Sequence, residues 1–168
     1  FAFGNVDDYN HNQPELSPSN IQIRIDKAMK ISAKTQYACT AMIELASNYA
    51  KDQLIRIKSI SDAHSISSRF LVQILLQLKT AGLVTSARGA TGGYQLARPP
   101  EEITLADILN AIEDRNGEQQ PNEQSAVCQI LGEVWSDVHE EEQRILREHT
   151  LASLVHRVHD SNALSYHI

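Results

Sequence analysis

Leu83-Val84-Thr85-Ser86-Ala87-Arg88-Gly89-Ala90-Thr91-Gly92-Gly93-Tyr94-Gln95-Leu96 is the stretch on which the fold turns. It reads as two short strands joined by a glycine-bearing loop with one arginine, Arg88, near its tip. Directly before it lies a helix-turn-helix pattern, Ser59 to Ala81. A β-hairpin after such a helix pair makes a winged helix, a shape that sets one helix and one hairpin against a DNA duplex.

The neighbouring sequence supplies the rest of the body. Ser32 can cap a first helix, whose apolar positions Ala38, Ala41, Met42, Leu45, Ala46 and Tyr49 recur at threes and fours. A second helix spans about Lys58 to His64, with Ile60 and Ala63 inward. The turn His64-Ser65-Ile66-Ser67 leads to a third helix capped by Ser67, with Phe70, Leu71, Ile74, Leu75 and Leu78 as its inner face and Gly82 as its stop. Arg98-Pro99-Pro100 ends the hairpin, and Thr104 caps a fourth helix with Leu105, Ile108, Leu109 and Ile112 inside.

From about Ser125 to Glu148 a long helical pattern returns, with Leu131, Val134, Trp135, Val138, Ile145 and Leu146 apolar and Glu140, Glu141, Glu142 and Arg144 on a solvated face. Such a helix would be about 36 Å long, more than the small body can cover, so its stripe is expected to bury against a second copy. Thr150 caps a last, short helix with Leu151, Leu154, Val155 and Val158. The expected fold class is therefore mainly α, a winged helix-turn-helix with a long C-terminal dimerisation helix. Its expected parts are an N-terminal arm or read-through segment (1–28), a winged-helix domain (29–113), a polar connector (114–126) and a helical dimerisation region (127–168). Met29-Lys30-Ile31-Ser32 has the look of a natural start.

The 168 residues carry a formal charge of −6, which argues against nucleic acid until it is read by region. Residues 53–100 hold Arg56, Lys58, Arg69, Lys79, Arg88 and Arg98 against Asp62 alone, a net +5, while residues 101–168 sum to −10. Charges are screened within about 8 Å at physiological salt, so an acidic far end is compatible with a basic reading head. No apolar run spans a membrane, and the N-terminus lacks a basic start and an apolar core of the secretory kind. Cys39 and Cys128, far apart, form neither a disulfide framework nor a CxxC site, and a reducing cytoplasm is the expected compartment.

Arg69, Val72, Gln73, Leu76, Gln77 and Thr80 fall on the face of the third helix opposite the core. Amides and guanidinium groups one helical turn apart match base edges in a major groove: Gln73 suits adenine, Arg69 suits guanine or a phosphate, and Val72 suits a thymine methyl. Arg88, with Gly89, Thr91 and Gly92 beside it, forms a hairpin tip suited to a narrow minor groove. Lys34, Thr35 and Tyr37 are candidates for phosphate contacts, with a plain surface role as the alternative, and Ser67 is a further DNA-binding candidate. Enzyme chemistry finds no support: there is no nucleophile elbow or paired-carboxylate site, and Gly89 to Gly93 lacks the Lys-Ser/Thr pair of a phosphate loop. His156 and His159, one turn apart with His149 nearby, have no cysteine or fixed carboxylate at matching spacing; a solvated helix end is expected there and no metal site.

Several of these residues resemble a known family, the Rrf-two winged-helix transcription regulators. The likeness runs from Met29 to about Val158. It rests on Met29-Lys30-Ile31-Ser32 through Tyr37-Ala38, Ile66-Ser67 through Leu78, Gly82-Leu83-Val84, Arg88-Gly89 through Tyr94, Ile103-Thr104-Leu105 and Thr150 through Leu154. The resemblance implies a bacterial homodimer, usually a repressor, that binds double-stranded DNA at a pseudo-palindromic operator. It also implies DNA contacts at Arg69, Val72, Gln73 and Arg88. Valine stands at position 72 where the family's iron–sulfur regulator has a glutamate, so a different operator is expected. Ser65 and Thr91 stand where glycines are common.

Cluster-binding members carry three cysteines before the long helix, and this chain has only Cys128 there, with Gln36 and Thr40 at the positions that supply a further ligand. No cofactor is therefore expected. Cys39 and Cys128 are read either as packing residues or as a redox pair meeting across the dimer. The competing functional class is a winged-helix protein-interaction module that has lost DNA binding.

Overall fold

The computed structural model describes residues 31–51, 53–89, 92–113 and 125–165. The arm expected over 1–28, the connector except for its last two residues, and Thr91 lie outside them. Contacts divide the chain into two units, Phe1–Ile31 and Ser32–Ile168, and every element below belongs to the second.

Helix α1, Ala33–Ser47, begins where Ser32 Oγ accepts from the Thr35 amide. It buries Ala38, Ala41, Met42, Leu45 and Ala46. Asn48 ends it, its side-chain amide donating to the Glu44 carbonyl at 2.9 Å. Tyr49, expected on the inner face, consequently falls in a short 3-10 turn, Tyr49–Lys51, and is 40% exposed.

Helix α2, Ile57–His64, buries Ile60 alone; Ala63, expected inward, is exposed, because so short a surface helix offers its neighbours about one turn. The turn that follows is fixed by hydroxyls. Ser61 Oγ donates to the Ile66 carbonyl at 2.6 Å and accepts from Ser68 Oγ at 2.9 Å, while Ile66 is buried. Ser65 adopts φ 54°, ψ 35°, the left-handed region that disfavours any residue with a Cβ. Ser65→Gly is therefore expected to raise stability by about 0.5–1 kcal/mol, the relief of strain less the added freedom of the unfolded chain. A urea unfolding midpoint unchanged or lowered would contradict this.

Helix α3, Ser68–Thr80, buries Leu71, Ile74, Leu75 and Leu78. Ser67 takes the N-cap position but makes no side-chain capping bond; its carbonyl accepts from Phe70 and Leu71. Phe70, expected in the core, is 38% exposed and stands edge-on to Tyr37, ring centroids 5.7 Å apart, on the flank where α1 and α3 meet. Gly82, at φ 73°, turns the chain into the hairpin.

Strands β1, Val84–Ala87, and β2, Gly93–Leu96, pair antiparallel from Val84↔Leu96 to Ala87↔Gly93. Leu83, Val84 and Leu96 anchor the base in the core. Ile55 bridges to Tyr94 on the outer edge. Gly93 is required there, since a Cβ would stand 2.7 Å from the Ile55 carbonyl oxygen.

Helix α4, Leu105–Ile112, starts with a capping box between Thr104 and Asp107. Helix α5, Ala126–Arg147, starts at Ser125, and helix α6, Leu151–Ser165, runs longer than the short helix expected. The Leu105 amide donates to His149 and the Leu151 amide to Ile103, tying the α5–α6 corner to the body. Asn110 and buried Gln143 exchange amide hydrogen bonds of 3.2 and 3.3 Å between α4 and α5. Among the described residues these ties hold the C-terminal end of α5. Val127, Ile130, Leu131, Val134, Trp135, Val138 and Ile145 are all exposed. No described helix is long and apolar enough to cross a membrane.

Candidate nucleic-acid interface

The outer face of α3 carries Arg69, Val72, Gln73 and Leu76, all exposed. Arg69 and Gln73 are four residues apart and so share one side of the helix. Gln77 differs from the expectation: it is half-buried, and its Oε1 is enclosed with no hydrogen-bond partner among the described residues. It stands on the margin of this face. The Thr80 hydroxyl donates back to the Leu76 carbonyl.

The first turn of α1 departs further from the sequence expectation. Thr35 is fully buried, and its hydroxyl donates to Glu113 Oε1 at 3.2 Å and lies 2.9 Å from Ser32 Oγ. It joins α1 to the end of α4 and is not placed to touch a phosphate. Lys34 Nζ is 3.4 Å from the Ile112 carbonyl, where the C-terminal end of α4 favours a cation. Tyr37 is half-buried against Phe70, and Ser67 is exposed at the start of α3.

At the hairpin tip Arg88 is exposed and Gly89 has φ 113°. The Gly92 amide donates to the Gly89 carbonyl, and a Cβ on Gly92 would stand 2.5 Å from the Ala87 carbonyl oxygen. Position 92 therefore has no room for a side chain, and at Gly89 it is the backbone conformation that favours glycine. Lys79, on the last turn of α3, donates to Ser86 Oγ on β1 at 2.7 Å. Between α3 and the hairpin lies an open cleft of about 390 Å³ bounded by Arg56, Leu76, Lys79, Ser86, Arg88 and Tyr94, with no carboxylate among the described residues that line it. Sequence reasoning passed over Arg56 and Lys79. Their signal was their membership of the basic segment, without the pattern that would place them together.

Cys39 packs at the edge of the core, and burial, with Glu113 adding to it, pushes its thiol up to about 11. A thiol so held stays protonated near neutral pH and is a poor nucleophile, which favours its packing role over a redox one. Cys128 is half-buried near the start of α5. His156 pairs with Asp160 at 2.8 Å on the exposed side of α6.

The model of the family described as "Rrf2: Iron-dependent Transcriptional regulator" matches residues 31–157. IscR of T. potens superposes with a TM-score of 0.66 at 31% identity, covering 81% of this chain and 93% of that one. CymR of Bacillus subtilis, titled a global cysteine regulator, superposes with a TM-score of 0.64 at 33% identity, covering 77% and 98%. In sequence, CymR is 44% identical over 85 residues, 51% of this chain and 61% of that protein. These relatives are transcriptional regulators, a non-enzymatic class.

The iron in the family's description can be set against the donors present. The sequence holds two cysteines, and among the described residues no group of three His, Cys, Asp or Glu side chains could hold a metal ion. Clusters of this kind are held mainly by cysteine thiolates, so these residues do not fit one within a protomer. The winged helix, the matched span and the two superpositions agree: the chain belongs to the Rrf2 (Rrf-two) family of transcriptional regulators.

Proposed function

We propose that the protein is a homodimeric repressor, acting in the cytoplasm, that binds a pseudo-palindromic operator through α3 and the wing. Residues 29–113 form the reading head, and residues 127–168 join the two copies along α5. One observation carries this reading: Arg69, Val72 and Gln73 stand exposed on one face of α3, with an exposed Arg88 at the tip of the adjoining hairpin. That pairing offers a major groove its base-reading side chains and a minor groove its cation. The exposed stripe on α5 supports the second copy, and the family likeness supports repression.

Selection of tight binders from a random duplex library tests the reading. Two inverted half-sites, with centres one helical turn or a multiple apart, are the expected product. A library that shows no enrichment would contradict DNA reading and favour a protein-interaction module. A single unrepeated half-site would contradict the dimer.

A further inference from the structure

We infer that the cleft between α3 and the hairpin is a phosphodiester clamp, with Lys79 and Arg56 as the cations that grip the DNA strand. The inference rests on the proposed reading and adds to it residues that neither sequence motif nor family likeness assigned. The major and minor grooves of a duplex are separated by one sugar–phosphate strand. If α3 lies in the major groove and Arg88 enters the adjacent minor groove, that strand has to pass between them. In this protein the space between them is the cleft of about 390 Å³.

The chemistry of the cleft suits that passenger. Among the described residues three cations, Arg56, Lys79 and Arg88, border it, and no carboxylate is in its lining. Lys79 lies ten residues after Arg69 on α3, about 15 Å along the helix axis. It is thus removed from the base-reading end and set beside the wing. Its ammonium donates one bond to Ser86 Oγ and has three protons to give, so the contact that seats it leaves capacity for a phosphate oxygen. Gly92 and Gly93 line the same cleft without side chains, which lets a backbone come close.

A phosphate clamp differs from a base reader in what it does to salt dependence. Each neutralised phosphate contributes about 0.9 to the slope of log affinity against log salt. Lys79→Gln is expected to reduce that slope by about 0.9 per protomer, about 1.8 for a dimer, equally on a selected duplex and on a scrambled one. Arg56→Gln is expected to do the same. Lys79→Arg should keep the wild-type slope, and Ser86→Ala, which removes the tether but not the charge, should keep it also.

Fluorescence anisotropy of both labelled duplexes over 50–300 mM KCl reads all of this. If wild type binds and Lys79→Gln keeps the full slope, the clamp is wrong while the DNA-binding reading stands. If Ser86→Ala lowers the slope as much as Lys79→Gln, Lys79 acts only by placing the wing, and the clamp is again wrong. Failure of wild type to bind either duplex would overturn the reading and the clamp together.

Discussion

Replacing Val134 and Val138 with glutamate is expected to turn the proposed dimer into a monomer and to lower operator affinity by about 10²–10⁴-fold. The magnitude follows from linkage: once one half-site is bound, the second binds as an intramolecular event, and that advantage disappears with the connection between the two heads. Among the described residues nothing covers this stripe. Val134 is 49% exposed, Trp135 66% and Val138 55%, at helical spacing along the part of α5 that projects beyond its ties at Gln143 and Leu146. Contiguous apolar surface of this kind marks an association face. Because these side chains lie outside the core, the variant should keep its fold, visible as unchanged far-ultraviolet dichroism. Sedimentation equilibrium gives the mass; a dimer that retains full operator affinity would contradict the assignment of α5.

Truncating Arg69 and Gln73 should do the opposite: leave the dimer and its stability alone and remove discrimination between sequences. Each good base contact is worth about 1–3 kcal/mol, roughly 5- to 150-fold in affinity for the right base pair. Both side chains are exposed, so stability should move by no more than about 0.5 kcal/mol. Binding to scrambled DNA should fall far less than binding to the selected site, since the phosphate contacts remain. An Arg69→Ala, Gln73→Ala protein that still prefers its selected duplex by the wild-type factor would show that α3 does not read bases.

Element boundaries were more legible than burial. Ser32 and Thr104 announce α1 and α4 because a hydroxyl before a helical run satisfies an amide of the first turn. Gly82 ends the third helical pattern because it is the residue that tolerates the left-handed turn into the hairpin. These are local devices, written within a few residues. The expectation that Ser65 occupies a glycine-favouring turn position likewise has a physical counterpart in its φ of 54°.

Burial depends on what arrives from elsewhere in the chain. Nothing near Thr35 foretells that Glu113 will meet its hydroxyl, 78 residues on. Phe70 and Ala63 fit an inward periodicity, yet the neighbouring elements do not extend over them. Tyr49 fits the α1 repeat, but Asn48 has already ended the helix. Arg56 and Lys79 illustrate the same point, since they come to border one cleft only when the hairpin packs beside α3.

Hydroxyl-radical footprinting of a selected duplex, with wild type and Arg88→Ala side by side, tests the placement of α3 and wing most directly. In each half-site, wild type should protect the sugars bordering one major groove and those of the adjoining minor groove, and Arg88→Ala should lose the minor-groove protection alone. Identical footprints from the two proteins, or protection confined to one groove in wild type, would contradict the placement of the hairpin on DNA.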